Sequence, residues 1–198
     1  DHDDTISLQS GSLSLSRVAV DGDDDEVRLA ADISSRLIFK DDGPSITVGT
    51  PTFTPTDLQT LDEETAAGTS TDTASYAGAF SVDSDGGSND GGADGKQAID
   101  WTYALGLTGD GSTNLTSAGD NISLSVDNGD VVGTTPDDTE IFRISVDSNG
   151  EVTLTQSGPI DHPTVDDTTE TIALDAGLIQ LTGTATITDG DDDTSEDS

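Results

Sequence analysis

Apolar residues alternate with polar or small ones along several short segments of this chain. The clearest segment runs from Ile99 to Leu107, where Ile, Trp, Tyr and two Leu occupy every second position. A period of two places these side chains on one face of a β-strand. Trp101 and Tyr103 share that face with aliphatic neighbours, so we expect both rings to lie in the core.

Turn sequences separate the alternating segments and predict hairpins. Ile122–Val126 leads into Asp127-Asn128-Gly129-Asp130, and Phe142–Val146 leads into Asp147-Ser148-Asn149-Gly150; Asn-Gly is typical of tight hairpin turns. Further strands are expected at Ile172–Leu174, Leu178–Leu181 and Thr184–Ile187. Short strands with frequent turns predict an all-β fold, an antiparallel two-sheet β-sandwich of the immunoglobulin-like type with little or no helix.

An acidic loop occurs twice, as Asp21-Gly22-Asp23-Asp24-Asp25 and as Asp189-Gly190-Asp191-Asp192-Asp193, 168 positions apart. The segments upstream of the two loops also correspond. Thr5–Leu15 and Thr171–Leu181 carry apolar residues and a glycine at equivalent places, with a two-residue length difference before the second loop. This recurrence indicates a tandem array, in which the chain holds the end of one repeat and most or all of the next.

The repeat register predicts the domain boundaries. One period runs from acidic loop to acidic loop, so residues 1–25 are expected to be the end of the preceding repeat and an acidic junction, packed on the main module. Residues 26–198 are then one β-sandwich module. An alternative boundary lies at Gly43 and Pro44, where the proline would stiffen a linker. A remnant of either length is too short to hold a core by itself.

Charge narrows the range of partners. The chain has 41 acidic and 6 basic residues and a formal net charge of −35. Such a charge repels phosphate groups, so we expect neither nucleic acid nor membrane insertion. No apolar run reaches the length of a membrane-spanning helix, and no Cys is present to form disulfides. Bound cations are therefore expected to stabilise the fold.

The acidic loops predict sites for a hard divalent cation. Carboxylates this close repel one another unless a cation lies among them, and calcium takes about six to eight oxygen ligands. The position of the glycine does not fit an EF-hand loop. A solvated acidic turn is the alternative, but recurrence within a repeat favours structural Ca²⁺. The predicted ligands are Asp21, Asp23, Asp25, Asp41, Asp42, Asp189, Asp191 and Asp193, with Asp83 and Asp85 as a weaker pair.

Several motifs occur together and in a fixed order. They are Asp41-Asp42-Gly43-Pro44-Ser45-Ile46, Phe80-Ser81-Val82-Asp83, Gly92-Ala93-Asp94-Gly95, Phe142–Leu154, Ile160-Asp161-His162-Pro163 and Ile187–Asp193. In combination they resemble the tandem repeats of giant bacterial RTX (repeats-in-toxin) adhesins exported by type I secretion. That resemblance implies β-sandwich extender modules on the cell surface, made rigid by calcium at and near module junctions. The chain departs from the pattern in its long Gly/Asp insertion between Val82 and Gly92.

Catalytic groups do not converge in the sequence. There is no Cys nucleophile, and the histidines are His2 and His162. Asp161-His162 with a Ser could be imagined as a triad, but adjacency in sequence is not the geometry that a triad needs. We therefore expect no enzyme activity, no catalytic residues and no bound group other than calcium.

The expected function is that of a structural extender module in a large secreted adhesin, which projects a ligand-binding region from the bacterial cell surface in settings such as biofilms. Its expected partners are neighbouring repeats of the same chain and calcium ions, and the chain is expected to be extracellular and monomeric. The alternative is a calcium-dependent carbohydrate- or peptide-binding module of the same kind of adhesin. Such a module would expose aromatic rings beside a calcium site, whereas most of the seven aromatic residues here occupy core-like positions.

Overall fold

The computed structural model describes residues 5–49, 53–54, 56–62, 68–83, 89–164 and 170–198. Its strands are β1 (Thr5–Ser7), β2 (Ser14–Val20), β3 (Glu26–Asp32), β4 (Ile38–Lys40), β5 (Ser45–Ile46), β6 (Ser70–Ser75), β7 (Asn89–Asp90), β8 (Lys96–Leu107), β9 (Ser112–Ser117), β10 (Asp120–Asp127), β11 (Asp130–Thr134), β12 (Glu140–Val146), β13 (Glu151–Gln156), β14 (Ile179–Asp189) and β15 (Thr194–Asp197). Strands hold 52% of the described residues and helical turns 4%. The predicted all-β, sandwich-like fold with little or no helix is confirmed.

The largest sheet has six strands in the order β6-β13-β12-β11-β10-β9. All neighbouring strands in it are antiparallel. The predicted hairpin turn at Asn128-Gly129 joins β10 to β11, and both residues adopt positive φ, 52° and 95°. Positive φ at two successive residues matches the right-handed twist of the flanking strands, which explains why Asn-Gly occurs here.

The described residues also form three two-stranded sheets and one three-stranded sheet. Strand β1 pairs with β4, β2 with β3, and β5 with β7. A further sheet has the order β15-β14-β8, so β14 has a neighbour on each side.

The hydrophobic core lies on one face of the six-stranded sheet. Its buried members are Leu115, Ile122, Leu124, Val131, Ile141 and Phe142. Leu105 and Leu107 of β8 and Ile179 of β14 pack against this cluster. Two antiparallel layers therefore enclose the core, and this arrangement follows from the period of two in their sequences.

Aromatic rings pack against one another beside this core. Phe80 lies with its ring centroid 6.1 Å from that of Trp101 and 5.6 Å from that of Tyr103. Trp101 and Tyr103 are stacked with centroids 6.3 Å apart. The three rings are half-buried. Neither Trp101 nor Tyr103 belongs to the buried core cluster, so the expectation that both rings lie in the core is met only in part.

The chain divides into two compact units. Unit 1 contains the described residues up to Ser45 together with Asp90–Ala98 and Ile187–Ser195. Unit 2 contains the described residues of Ile46–Asn89, Ile99–Thr186 and Glu196–Ser198. The boundaries predicted at residue 25 or at Gly43 and Pro44 remain predictions. Within the described residues, no helix has the length and apolar character needed to cross a membrane.

Three of the expected strands differ in the structure. Ile172–Leu174 takes no regular structure, although Ile172 and Leu174 still pack against the core. The apolar pattern there reports burial and not strand pairing. Leu178–Leu181 and Thr184–Ile187 were expected as separate strands; apart from Leu178, their residues belong to the continuous strand β14.

Asp161 fixes the tight turn between β9 and β10. Its carboxylate accepts hydrogen bonds from the Thr116 hydroxyl at 2.8 Å, the Ala118 amide at 2.9 Å and the Gly119 amide at 2.8 Å. The pKa of Asp161 is lowered, first by the Gly119 amide and then by the Thr116 hydroxyl. This stabilisation is complete above a pH of about 4 and is lost as the pH falls through the lowered pKa.

We predict that Asp161→Ala destabilises the fold by about 1–2 kcal/mol near neutral pH, because the turn loses three hydrogen bonds to a charged acceptor. Denaturant unfolding should show the deficit at pH 7 and a much smaller one near pH 3. Asp120→Ala is the matched control, since Asp120 is an exposed acid next to the same turn. Equal losses for the two variants would contradict this role for Asp161.

Candidate metal centre

The two acidic loops adopt the same backbone geometry. In the first, the Asp21 amide donates to the Asp25 carbonyl at 3.1 Å; in the second, the Asp189 amide donates to the Asp193 carbonyl at 3.1 Å. The amide of the fifth residue returns to the carboxylate of the first, at 3.0 Å and 2.9 Å respectively. The fourth residue has positive φ in both loops, 69° and 75°. The identical sequences thus adopt the same loop conformation, including the left-handed backbone at the fourth residue, which Asp tolerates.

The first loop is open to solvent. Asp21, Asp23 and Asp25 are exposed, and each places a carboxylate oxygen within 4.8 Å of the other two. The pKa of Asp21 is lowered by hydrogen bonds from Asp23, whose side-chain interaction contributes most, and from the Asp25 amide. Its carboxylate is therefore stabilised in the charged form by its own loop.

The second loop is enclosed at its first residue. Asp189 is 0% exposed, and its Oδ2 has no hydrogen-bond partner. Oxygens of Asp189, Asp191 and Asp193 lie within 4.8 Å of one another. A buried carboxylate oxygen without a donor costs several kcal/mol unless a cation compensates it. The second loop therefore contains a buried negative charge that the protein does not compensate, whereas the acids of the first loop are exposed to water.

Two distant segments bring further carboxylates to Asp191. Oxygens of Asp41, Asp94 and Asp191 lie within 4.8 Å of one another, so Asp191 belongs to two clusters. Asp41 comes from the turn after β4, and Asp94 from the turn between β7 and β8. All five acids of the two clusters are members of unit 1. We call these five residues, Asp41, Asp94, Asp189, Asp191 and Asp193, the acidic centre.

Glycines allow the backbones of these segments to approach. A Cβ on Gly190 would lie 2.5 Å from the Asp94 carbonyl oxygen, and a Cβ on Gly92 would lie 1.9 Å from that of Asp42. Gly92 also has a φ of +63°. Any larger residue at either position would separate the segments that supply Asp41, Asp94 and Asp191.

Crowding of like charges perturbs Asp191. The interaction of its side chain with that of Asp189 raises the pKa of Asp191 to about 6, and burial and the charges of Asp189, Asp41 and Asp193 add to the effect. Asp191 and Asp193 also line a cavity of about 510 Å³ together with Thr5, Ile6, Phe39, Lys40 and Asp41. The acidic centre therefore borders space in which an ion and its water ligands fit.

The ligand chemistry of the acidic centre suits a hard cation. Carboxylate oxygens are the only side-chain ligands in these clusters, and hard ions such as calcium prefer oxygen. Two oxygens on opposite sides of a calcium ion, each at about 2.3–2.6 Å, are about 4.6–5.2 Å apart. The separations within the clusters are compatible with that range.

The remaining predicted ligands that the structure describes are not members of the acidic centre. Asp42 is exposed and contributes its backbone to the contact with Gly92. Asp83 is half-buried, and its amide donates to the Thr47 carbonyl at 2.8 Å. Asp85 lies outside the described residues. Asp41 joins the second loop, whereas the cluster of the first loop contains only that loop's own acids.

Asp94 is the ligand candidate that the sequence alone did not single out. It lies in a segment with many Gly and Asp residues, where composition does not distinguish one acid from another. The motif Gly92-Ala93-Asp94-Gly95 was the one available signal, because glycines around a single Asp favour close approach of the backbone.

A second feature of the chain is a cavity of about 950 Å³ in unit 2. Its lining includes Tyr76, Phe142, Asp62, His162 and Leu174. His162 Nε2 lies 3.7 Å from Asp62 Oδ2, and Asp161 is occupied by the β9–β10 turn. The imagined pairing of Asp161 with His162 therefore has no support in these contacts.

A family model described as a domain of unknown function (DUF5801) matches residues 59–198, more than two thirds of the chain. The match includes Asp94 and the second acidic loop, while Asp41 and the first loop precede it. Neither a curated protein nor a solved structure matches this chain.

We predict that, in the presence of chelator, Asp189→Asn raises the free energy of unfolding by on the order of 1–3 kcal/mol, because it removes a buried charge crowded by other acids. Asparagine keeps the oxygen that accepts the Asp193 amide. Chemical denaturation of both proteins measures the difference.

The matched control for this prediction is Asp21→Asn, at the equivalent and exposed position of the first loop. It should change stability little. A loss of stability for Asp189→Asn in chelator would show that the buried charge is already compensated within the protein, and would contradict an electrostatic deficit at this site.

Proposed function

This chain belongs to the DUF5801 family, whose description is a domain of unknown function, and we propose that it is a non-catalytic structural module stabilised by calcium. The observation that carries the proposal is the acidic centre. Two distant segments bring Asp41 and Asp94 to Asp191, next to a fully buried Asp189 with one unpartnered oxygen. A divalent ion there would join the turn after β4, the turn before β8 and the β14–β15 loop.

The acidic centre supplies what a calcium site requires of the protein. Asp189 Oδ2 would be a buried ligand, Asp191 could bridge to Asp41 and Asp94, and Asp193 would close the loop. The ion would supply positive charge to a chain whose formal net charge is −35. Because this fold has no disulfides, such an ion is the strongest available cross-link between these segments.

We further propose that the module is an extender in a secreted, cell-surface adhesin of a bacterium. The support is the internal repeat of loop and flanks together with the resemblance to RTX adhesin repeats. Calcium at millimolar concentration outside the cell suits weak extracellular sites, whose dissociation constants are about 10⁻⁴–10⁻³ M. In this proposal the module projects a ligand-binding region, and its partners are neighbouring repeats.

The second candidate is calcium-dependent binding of a carbohydrate or peptide, and the cavity in unit 2 is the observation behind it. Sugar-binding sites usually present an exposed aromatic ring. Here Phe80, Trp101 and Tyr103 pack against one another, and Phe53 packs against Tyr76 with centroids 5.8 Å apart. Phe39 is the exception, because it is 57% exposed and lines the cavity beside Asp41, Asp191 and Asp193, as a binding module would require. The repeated loop and the convergence of the acids still favour the structural role.

We predict that 10 mM calcium raises the free energy of unfolding by about 1.4–2.7 kcal/mol, as expected for a single site of that affinity. Thermal and denaturant unfolding in calcium and in chelator, at matched ionic strength, measure the effect. Asp191→Asn should abolish most of the gain. Asp120→Asn, in an exposed acid outside these clusters, should retain it.

The calcium proposal would fail if wild-type protein melted at the same temperature in calcium and in chelator. A gain that Asp191→Asn retained in full would leave calcium binding intact but move the ion away from the acidic centre. Magnesium at equal concentration is a further control, because it demands a smaller octahedral site and should stabilise less.

The extender role predicts a mechanical effect of calcium. Acidic junctions between modules repel when bare, since charges within about 8 Å still interact at physiological salt. Calcium should therefore lengthen and narrow the end-to-end distribution of a two-repeat protein in small-angle X-ray scattering. The double substitution of Asp191→Ala and Asp193→Ala should restore flexibility while both modules stay folded. If the end-to-end distribution of the folded two-repeat protein does not change on adding calcium, the proposal that calcium stiffens the junction between modules is contradicted.

A further inference from the structure

We infer that one face of the β2–β3 hairpin is the docking surface for the sandwich of another copy of this repeat, located upstream in the same polypeptide. The inference rests on the tandem-repeat part of the proposed function and adds the surface through which neighbouring repeats meet. Three large apolar side chains of the hairpin are mostly exposed to solvent. Leu15, Val27 and Leu29 are 66%, 70% and 76% exposed.

These exposed residues share one side of the hairpin. Leu15 pairs with Ala31, Arg17 with Leu29, and Ala19 with Val27 across the two strands. Side chains of directly paired residues project from the same face of an antiparallel sheet. The face therefore consists of Leu15, Arg17, Ala19, Val27, Leu29 and Ala31, and we call it the hairpin face. Five of its six residues are apolar, which is unusual for a solvated surface.

The second copy of this hairpin shows the same positions covered. The identical acidic loops align Asp21 with Asp189, and this alignment places Arg17 at Ala185 and Ala19 at Ile187. Ala185 and Ile187 are both 0% exposed. The hairpins share their loop hydrogen bonds and differ in burial. The elements that pack on β14 but have no counterpart at β2 therefore indicate what the missing partner of β2 would supply.

Strand pairing identifies the first element of that partner. Strand β14 has β15 on one side and β8 on the other, whereas in the described residues β2 pairs with β3 alone. An unpaired edge next to an exposed apolar face is a site at which another strand can add. The equivalent strand in the partner is the counterpart of Lys96–Leu107 in another copy.

The aromatic cluster supplies the second element. A Cβ on Gly183 would lie 2.7 Å from the Phe80 ring, so this ring covers the strand at that point. Counted back from the shared acidic loop, Gly183 corresponds to Leu15 of the hairpin face, whereas the upstream flanks align Leu15 with Leu181 because the two copies differ in length by two residues. The upstream copy would therefore present a surface like that of Phe80 and Trp101 to Leu15, and the Phe80 ring of that copy would have to be displaced to accommodate the Leu15 side chain.

Charge also favours another copy as the occupant. Arg17 lies in the middle of the hairpin face and is one of only six basic residues in the chain. A second module of the same composition is strongly acidic, so it can neutralise Arg17 where an ordinary apolar partner would not.

The test uses a protein in which an upstream copy ends at Glu170 and continues directly into Thr5–Ser198, in the register of the internal repeat. The chain has no Cys, so Leu29→Cys in the downstream copy introduces a single thiol on the hairpin face. We expect this thiol to react at least about tenfold more slowly with a maleimide than in the 198-residue chain, because reaction then requires opening of the interface.

Val126→Cys is the matched control. Val126 is 51% exposed and lies in β10, which is not part of the β2–β3 hairpin. Its thiol should react equally fast in the single and tandem proteins. Equal rates for Leu29→Cys in both proteins, with the upstream copy folded, would overturn the inference.

Folding of the upstream copy gives an independent readout. Trp101→Phe in the downstream copy leaves the upstream Trp101 as the sole indole, whose emission reports packing. If the β2–β3 hairpin replaces β14–β15 for the upstream sandwich, this emission should be that of the folded single chain. An unfolded upstream copy would contradict the inference, since the hairpin would then have failed to complete it.

Three further measurements distinguish failure of the docking inference from failure of the proposed calcium site: sedimentation, thiol protection and stabilisation by calcium. The 198-residue chain should sediment as a monomer, because β14 already occupies its own β8. A dimer in which the Leu29→Cys thiol is protected would assign the hairpin face to self-association and overturn the tandem docking. Protection in the tandem protein without stabilisation of the single chain by calcium would sustain the docking and refute the calcium site. Stabilisation of the single chain by calcium without protection of the thiol in the tandem protein would refute the docking and leave the calcium site intact.

Discussion

Repulsion among carboxylates is the constraint on which the account of this chain depends. The acidic centre gathers five aspartates in one unit, and Asp189 cannot relieve the repulsion by moving into water because it is fully buried. The raised pKa of Asp191 expresses the same conflict. A fold whose composition is so acidic needs compensating charge where its segments meet, and the six basic residues are too few to supply it.

The two acidic loops separate what local sequence determines from what the surroundings determine. Identical residues produce the same hydrogen bonds and the same positive φ in both copies. Yet Asp21 is exposed and has a lowered pKa, while Asp189 is buried with an oxygen lacking a donor. Loop geometry is therefore a property of the five residues, and ion affinity is a property of what packs around them. The same comparison makes the exposed β2–β3 hairpin informative, because its buried counterpart shows how such a hairpin is completed.

Sequence patterns predicted the central sheet well. The hairpins around Asn128-Gly129 and Asn149-Gly150 form where alternation and turn residues coincide, since both signals act over a few residues. The alternation at Ile172–Leu174 did not produce a strand, because burial of side chains and pairing of backbones are separate requirements. A 3₁₀ turn at Ser34–Arg36 separates β3 from β4.

The acidic centre was predictable only in part. The repeated loop singled out Asp189, Asp191 and Asp193, and the Asp-Asp-Gly-Pro turn singled out Asp41. Their convergence with Asp94 depends on contacts between residues about 50 to 150 positions apart, which no local pattern encodes. For the same reason the sequence could not show that Asp41 joins the second loop and not the first.

The most direct test of the central claim is a crystal structure with calcium, examined by anomalous scattering at a wavelength sensitive to the ion. The account predicts an anomalous peak within about 2.3–2.6 Å of Asp189 Oδ2 and of an Asp191 oxygen. A peak shared with Asp41 and Asp94 would show that one or more ions join all three segments. If calcium saturates the crystal and no peak appears beside Asp189, or if Oδ2 accepts a hydrogen bond from the protein, the acidic centre is not a calcium site.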